Sequence, residues 1–259
     1  MRFHLVTIFP GLFEAGVLDY GMVGRARENR RLDVAVTDIR DFATDRHRSV
    51  DDRPFGGGPG MVMRPDIVAR AVDHAREQMP AGAPVIYMSP QGERLDHQRV
   101  AELARLSGMT LMCGRYEGVD ERLLESRVDR ELSIGDFVLS GGEFAALVVI
   151  DAVARLLPDV LGEPASAEED SFVAGLLDCP HFTRPSSFEG REVPEILRSG
   201  DHGAIERWRR REALGRTWQR RPDLLEIRGV TAEERRLLTE YLREQGMATD
   251  AVANLPVRE

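Results

Sequence analysis

Glycine, carboxylate and guanidinium are the groups with which this chain could do chemistry, and they fall in separate stretches. Three glycine-bearing segments each follow a short apolar run: Ser89-Pro90-Gln91-Gly92, Gly114-Arg115-Tyr116-Glu117-Gly118, and Ser133-Ile134-Gly135-Asp136-Phe137-Val138-Leu139-Ser140-Gly141-Gly142. Glycine allows unusual backbone angles and close approach of the main chain to a ligand. Any one of these segments reads as ordinary turn chemistry. Three of them after successive strands read as one ligand site. None fits G-x-G-x-x-G with an acid some twenty residues on, which argues against a standard dinucleotide site. A fourth cluster, Phe55-Gly56-Gly57-Gly58-Pro59-Gly60-Met61, follows Asp51-Asp52-Arg53-Pro54. It reads either as a surface loop or as a binding loop that closes over a substrate. Glu168-Glu169-Asp170 is by default a solvated acidic run. The apolar stretch beginning at Ser171-Phe172 could instead pin Asp170 against a surface, where a carboxylate can serve as a base.

The clearest charge signal lies later. Arg207, Arg209, Arg210, Arg211, Arg216, Arg220 and Arg221 fall within 15 residues against one acid, Glu212, and both tryptophans, Trp208 and Trp218, lie among them. Guanidinium groups suit phosphates and aromatic faces stack on unpaired bases. A helix with core tryptophans and solvated arginines is the competing reading.

Composition narrows the chemistry. The 259 residues carry 35 basic and 44 acidic side chains, a net charge of −9, and all 35 bases are arginine. Without lysine there is no Schiff-base amine and no G-x-x-x-x-G-K-[ST] phosphate loop. An anionic partner must be read by guanidinium groups or backbone amides. The two cysteines, Cys113 and Cys179, are far apart and read as reduced thiols. H-E-x-x-H, a paired cysteine ligand set and G-x-S-x-G are all absent, and the six histidines are scattered. No run is apolar enough to span a membrane, and Glu14 and Asp19 spoil a signal-peptide layout. The expectation is a soluble cytoplasmic protein.

The elements that must position these groups alternate in period. Strands are expected at Phe3–Phe9, Leu32–Ile39, Val85–Met88, Met109–Cys113 and Glu131–Ile134, and helices at Leu12–Asn29, Pro65–Met79, Asp96–Ser107, Glu121–Arg127 and Glu143–Leu157. Such alternation predicts an α/β fold with a mostly parallel sheet flanked by helices. Ligands of such sheets bind beyond the carboxyl ends of the strands, where the three glycine segments fall. The division expected is a ligand-binding domain over 1–160, a flexible linker over 161–171, a small helical domain over 172–250 and a frayed tail over 251–259. Helices of the second domain are expected at Val193–Leu197, Ala204–Leu214 and Ala232–Leu242.

Taken together, the motifs resemble the bacterial tRNA (guanine-N1)-methyltransferases of the TrmD type, in the SPOUT superfamily. The stretches that carry the resemblance are VTIFP at Val6–Pro10, FGGGPGM at Phe55–Met61, CGRYEG at Cys113–Gly118, SIGDFVLSGGE at Ser133–Glu143, IDAVAR at Ile150–Arg155, EEDSF at Glu168–Phe172, GLLDCPHFTRP at Gly175–Pro185, and Arg216–Leu225. They run in family order over nearly the whole chain. The resemblance implies a trefoil knot at the carboxyl end of the α/β domain, a homodimer, and S-adenosylmethionine as methyl donor. It implies methyl transfer to N1 of the guanosine 3′ of the anticodon, with the tRNA anticodon arm as partner. It implies a donor pocket of Tyr87, Ser89, Pro90, Gly114, Tyr116, Glu117, Ser133, Ile134, Gly135, Asp136, Phe137, Val138, Leu139, Gly141 and Gly142. Asp170 matches the family's general base and Arg155 its partner at guanine O6. Asp51 and Gly58-Pro59-Gly60 lie where the family contacts the target base. Arg184, Trp208, Arg209, Arg210, Arg216 and Arg220 are the expected RNA contacts of the second domain. Magnesium dependence is suggested for the family, although no ligand cluster in this sequence demands it. Phe137 and Phe144-Ala145 depart from the Tyr and Leu-Pro of many relatives, which bears on donor affinity. An RNA-binding module without catalysis, and an α/β enzyme acting on a small nucleotide, are the alternatives; calorimetry with the donor and methyl transfer to a transcript separate them.

Overall fold

The computed structural model describes residues 1–160 and 170–258. Two compact units divide the chain, Met1–Pro164 and Ala165–Glu259. The linker expected over 161–171 lies outside the described residues except for Asp170 and Ser171. Those two belong to a hydrogen-bonded turn: Asp170 O accepts from Val173 N at 3.3 Å, and Ser171 Oγ accepts from Asp178 N at 3.0 Å.

The first unit is built on five parallel strands in the order β2-β1-β6-β5-β7, with β1 at Arg2–Thr7, β2 at Asp33–Asp38, β5 at Val85–Arg94, β6 at Gly108–Cys113 and β7 at Arg130–Ser133. Two short strands, β3 (Asp51–Asp52) and β4 (Val62–Met63), form a separate antiparallel pair. Because strand side chains alternate between faces, Phe3, Leu5, Ile86, Met88, Met109 and Leu111 enter one buried cluster. Val6, Val85, Tyr87 and Met112 enter the other. Helices α2 (Gly21–Glu28), α4 (His97–Ala104) and α6 (Glu143–Ala154) supply the first cluster; α3 (Pro65–Glu77) and α5 (Glu121–Arg127) supply the second. Both faces are therefore dry, as a parallel sheet requires.

Two details differ from the sequence reading. The helical period over Leu12–Asn29 is broken into α1 (Gly11–Glu14) and α2, because Gly16 between them and Gly21 at the start of α2 adopt φ of +81° and +64°. The strand at Val85 does not stop at Met88. It bulges at Ser89–Gly92 and resumes, so Met88 and Glu93 both pair with Leu132. Gly92 permits this, because a Cβ there would strike the Glu131 backbone.

The second unit has a hairpin, β8 (Ser187–Phe188) with β9 (Arg191–Glu192), and helices α7 (His202–Arg220), α8 (Pro222–Arg228) and α9 (Ala232–Glu244). A 3₁₀ turn, Glu195–Arg198, stands where a helix over Val193–Leu197 was expected, and α7 runs six residues beyond the expected Leu214 before Pro222 opens α8. The tail expected to fray is instead packed. Val252 and Leu255 are buried, Arg235 donates to both of their carbonyls at 2.5 and 2.8 Å, and Val257 bridges to Val230.

Candidate functional site

The strand order makes the site. Leaving β6 at the carboxyl end of the sheet, the chain forms the second loop beside the end of β5 and then runs through α5 on one face to reach β7 at the edge. Leaving β7, it must return across the same end to start α6, which packs on β1, β5 and β6. The two crossing loops meet: Gly142 N donates to Gly114 O at 3.0 Å, and Arg115 and Gly141 form an antiparallel bridge. Together with the β5 bulge they enclose a cavity of about 360 Å³.

Of the expected donor-pocket residues, Tyr87, Ser89, Pro90, Gly114, Tyr116, Glu117, Ser133, Ile134, Gly135, Phe137, Val138, Leu139, Gly141 and Gly142 all line it. Asp136 does not, although its neighbours on both sides do. The glycines are there for space and angle. A Cβ on Gly142 would lie 2.9 Å from Cys113 Cα, and one on Gly114 would press the Tyr87 phenol. Tyr116 has φ +61°, a left-handed conformation rare for an aromatic residue and a form of strain that collects at ligand sites. Ser133 Oγ accepts from Gly135 N at 3.2 Å and donates to Gly135 O at 3.0 Å, which fixes the start of the third loop. Burial, with Glu131 and Cys113 adding, pushes the Tyr87 phenol up to about 12, so it stays a neutral donor. Burial and Glu143 likewise raise the Cys113 thiol, which leaves it an inert core residue behind Gly142.

The glycine cluster over 55–61 is stitched to this site by backbone. Glu117 N donates to Met61 O and Met63 N to Gly118 O, both at 2.9 Å, and Gly60 lies against the Glu117 side chain. Gly58 and Gly60 hold φ of +120° and +84° around Pro59, and Asp51 sits at the foot of the same hairpin on β3. Arg155 caps the carboxyl end of α6 in the first unit; Asp170 heads its turn in the second. Their pairing in a reaction rests on the resemblance.

In the second unit, α7 separates its arginines by face. Arg207 pairs with Glu240, Arg210 with Glu234, and Arg211 with Glu212 and Glu244. Arg210, expected among the RNA contacts, is thus committed to a buried carboxylate. Arg209, Arg216 and Arg220 form no ion pair among the described residues, and spacings of seven and four place them on one face of the helix. Trp208 meets Phe182 in a tilted contact, with centroids 6.2 Å apart and planes at 56°, while Trp218 packs against the buried cluster. Arg184 is exposed and forms no ion pair among the described residues.

Three residues of the site escaped the sequence reading as chemistry: Thr7, Arg115 and Glu143. A glutamate opens a helix whose one other charge is Asp151, and that charge at the head of an apolar run was the available signal. For a metal, the one close His/Cys/Asp/Glu group among the described residues is Asp178, Cys179 and His181, in the second unit. A thiol and an imidazole suit a softer ion than magnesium, so these residues do not fit the magnesium the family suggests.

A parallel α/β domain whose cavity lies beyond its strand ends, walled by glycine loops, defines a ligand-binding enzyme class that recognises through backbone. The comparisons with known proteins narrow it. The family model described as "tRNA (Guanine-1)-methyltransferase TrmD" matches residues 1–227, and the chain belongs to that family. It is 56% identical over 243 residues to the tRNA (guanine-N(1)-)-methyltransferase of Halorhodospira halophila, covering 94% of this chain and 92% of that one. It is 55% identical over 244 residues to the enzymes of the same name from Serratia marcescens and Yersinia enterocolitica, covering 94% of this chain and 95% and 99% of theirs. Among the described residues, no helix is long and apolar enough to cross a membrane.

Proposed function

We propose that the protein transfers a methyl group from S-adenosylmethionine to N1 of the guanosine 3′ of the anticodon in tRNA. The observation that carries this reading is the cavity itself, in which 14 of the 15 expected donor-pocket residues converge. Glycines 114, 135, 141 and 142 leave its walls as bare backbone, suited to a nucleoside that is read by main-chain groups. The donor supplies an electrophilic sulfonium methyl. N1 of guanine carries a proton at neutral pH, so its lone pair must be freed. Asp170 accepts that proton while N1 forms its bond to the methyl carbon, and the methyl–sulfur bond breaks with its electron pair staying on sulfur. Arg155 stabilises the negative charge that develops on O6. Asp51 and Gly58-Pro59-Gly60, fastened beside Glu117, hold the target base.

Arg184, Trp208, Arg209, Arg216 and Arg220 read the anticodon arm, with the unpaired face of α7 on its phosphates. The second unit acts as the RNA-binding domain and 161–171 as its linker. The crossing of the second and third loops supports the trefoil knot of the SPOUT class. Phe137, Val138, Phe144 and Val148 are exposed apolar side chains in and just beyond the third loop, which supports a homodimer covering them. A tRNA substrate makes the cytoplasm the place of work. The test is donor plus an unmodified tRNA transcript, followed by mass spectrometry of the nuclease digest. Methyl on guanine N1 is expected; methyl on any other atom overturns the assignment.

A further inference from the structure

One buried side-chain network joins the end of β1 to both crossing loops. Glu143, in the first turn of α6, is wholly inaccessible. Its Oε1 accepts from the Thr7 hydroxyl at 2.8 Å. Its Oε2 accepts from Arg115 Nε, and Arg115 Nη2 lies at the same 2.9 Å. The remaining guanidinium nitrogen, Nη1, donates to the Ser140 carbonyl at 3.1 Å. The Thr7 hydroxyl accepts in turn from Phe9 N at 3.0 Å, and the guanidinium stands 4.5 Å above the Phe9 ring. A Cβ on Gly141 would occupy the place of the Arg115 side chain, so the glycine makes room for the arginine.

A buried ion pair is a weak device for stability, since apolar residues of equal volume often serve as well. Its value is in specifying one arrangement. The loops it joins contain Gly114, Gly118, Gly135, Gly141 and Gly142, and glycine-rich segments lose the most entropy on being fixed. A ligand that had to order them would bind more weakly by that cost. We propose that Arg115, held by Glu143 and Thr7, is a positioning residue of the methyl-donor site. It fixes the two crossing loops before the donor arrives, so that donor affinity depends on it more than folding does. The inference rests on the donor-site reading above.

Calorimetry of S-adenosylmethionine with the wild-type protein comes first; no binding there overturns the donor-site reading itself. With that binding in hand, Arg115→Lys keeps a cation beside Glu143 but loses the fork that also reaches Ser140. The expected result is a donor Kd raised about tenfold at unchanged Tm, from lost preorganisation. Amide exchange over residues 134–142 of the ligand-free protein rises, and the KM for donor rises while the KM for tRNA does not. Thr7→Val keeps shape and removes only the hydroxyl; it moves Kd and exchange in the same direction by about threefold. A donor Kd within twofold of wild type in both variants, with exchange unchanged, overturns the proposal. So does a loss of affinity that merely tracks a loss of Tm across the two.

Discussion

The two units present different materials for recognition. In Met1–Pro164 the cavity is walled by loops in which Gly114, Gly141 and Gly142 leave no room for a methyl group, and Arg115 is spent on holding two of them together. In Ala165–Glu259 the chemistry is displayed on the side chains of one helix, whose paired arginines are structural and whose unpaired ones face out along a stripe. An acidic protein can therefore serve an RNA substrate with a few guanidinium groups. The contrast teaches that one added carbon should matter in the first unit and one removed charge in the second.

The largest effect belongs to the residue proposed to act on the base. Asp170→Asn is expected to lower the single-turnover rate by about 10²–10⁴-fold, as loss of a general base does. A rate within a few-fold of wild type removes Asp170 from that role. Next is the added methyl. Gly142→Ala forces a Cβ against Cys113 Cα and Met88 Cβ, and overpacking costs about 1–3 kcal/mol. Calorimetry is expected to show donor affinity down about tenfold or more, with tRNA affinity unmoved. The charge counterpart is the triple variant of Arg209, Arg216 and Arg220 to Gln. It should weaken tRNA binding and flatten its log–log salt dependence by about 2–3, with donor binding intact. Arg207→Gln, on the paired face, should change the salt slope least. If the triple variant and Arg207→Gln act alike, the two faces of α7 are not distinct.

A last contrast separates the units by acid. Burial, helped by Arg2 and His74, lowers the His4 pKa from 6.5 to about 4. The folded state thus holds neutral His4, whose contribution is full above pH 6.5 and is lost as pH falls towards 4. For Glu234, burial pushes the pKa up, but hydrogen bonds from Arg228, the Thr231 backbone and Arg210 outweigh it and hold it at about 2. That contribution is full above pH 4.5 and is lost as pH falls towards 2. Each shift is worth about 3 kcal/mol. Both tryptophans lie in the second unit, so in acid titration far-ultraviolet circular dichroism should begin to fall at higher pH than tryptophan fluorescence. Coincident curves would break the contrast. His4→Gln should bring them together.

Short apolar runs such as Phe3–Phe9 and Met109–Cys113, separated by helical periods, made the parallel sheet legible, because a strand buried on both faces carries apolar side chains on both. The three glycine loops were legible as one site for the same reason: strands end where the pattern ends. What periodicity does not encode is strand order, and so the meeting of the loops beside the end of β5 and the network under them were out of reach. The bulge at Ser89–Gly92 was hidden because it interrupts a strand that resumes. The sorting of α7 was hidden because Glu234, Glu240 and Glu244 come from α9, and only packing sets which arginines they meet. The docked tail was missed because its apolar residues, Val252 and Leu255, are too few to give a period.

The strand order also sets a timetable for synthesis. Strand β1 is complete at Thr7, and β2 can close one of its edges soon after, but the other waits for β6 at Gly108–Cys113. At translation speeds of about 5–20 residues per second, that edge stands open for about 5–20 s. An unpaired strand carrying Phe3, Leu5 and Val6 invites pairing with another chain. The emerging polypeptide therefore needs shelter until residue 113 has left the ribosome.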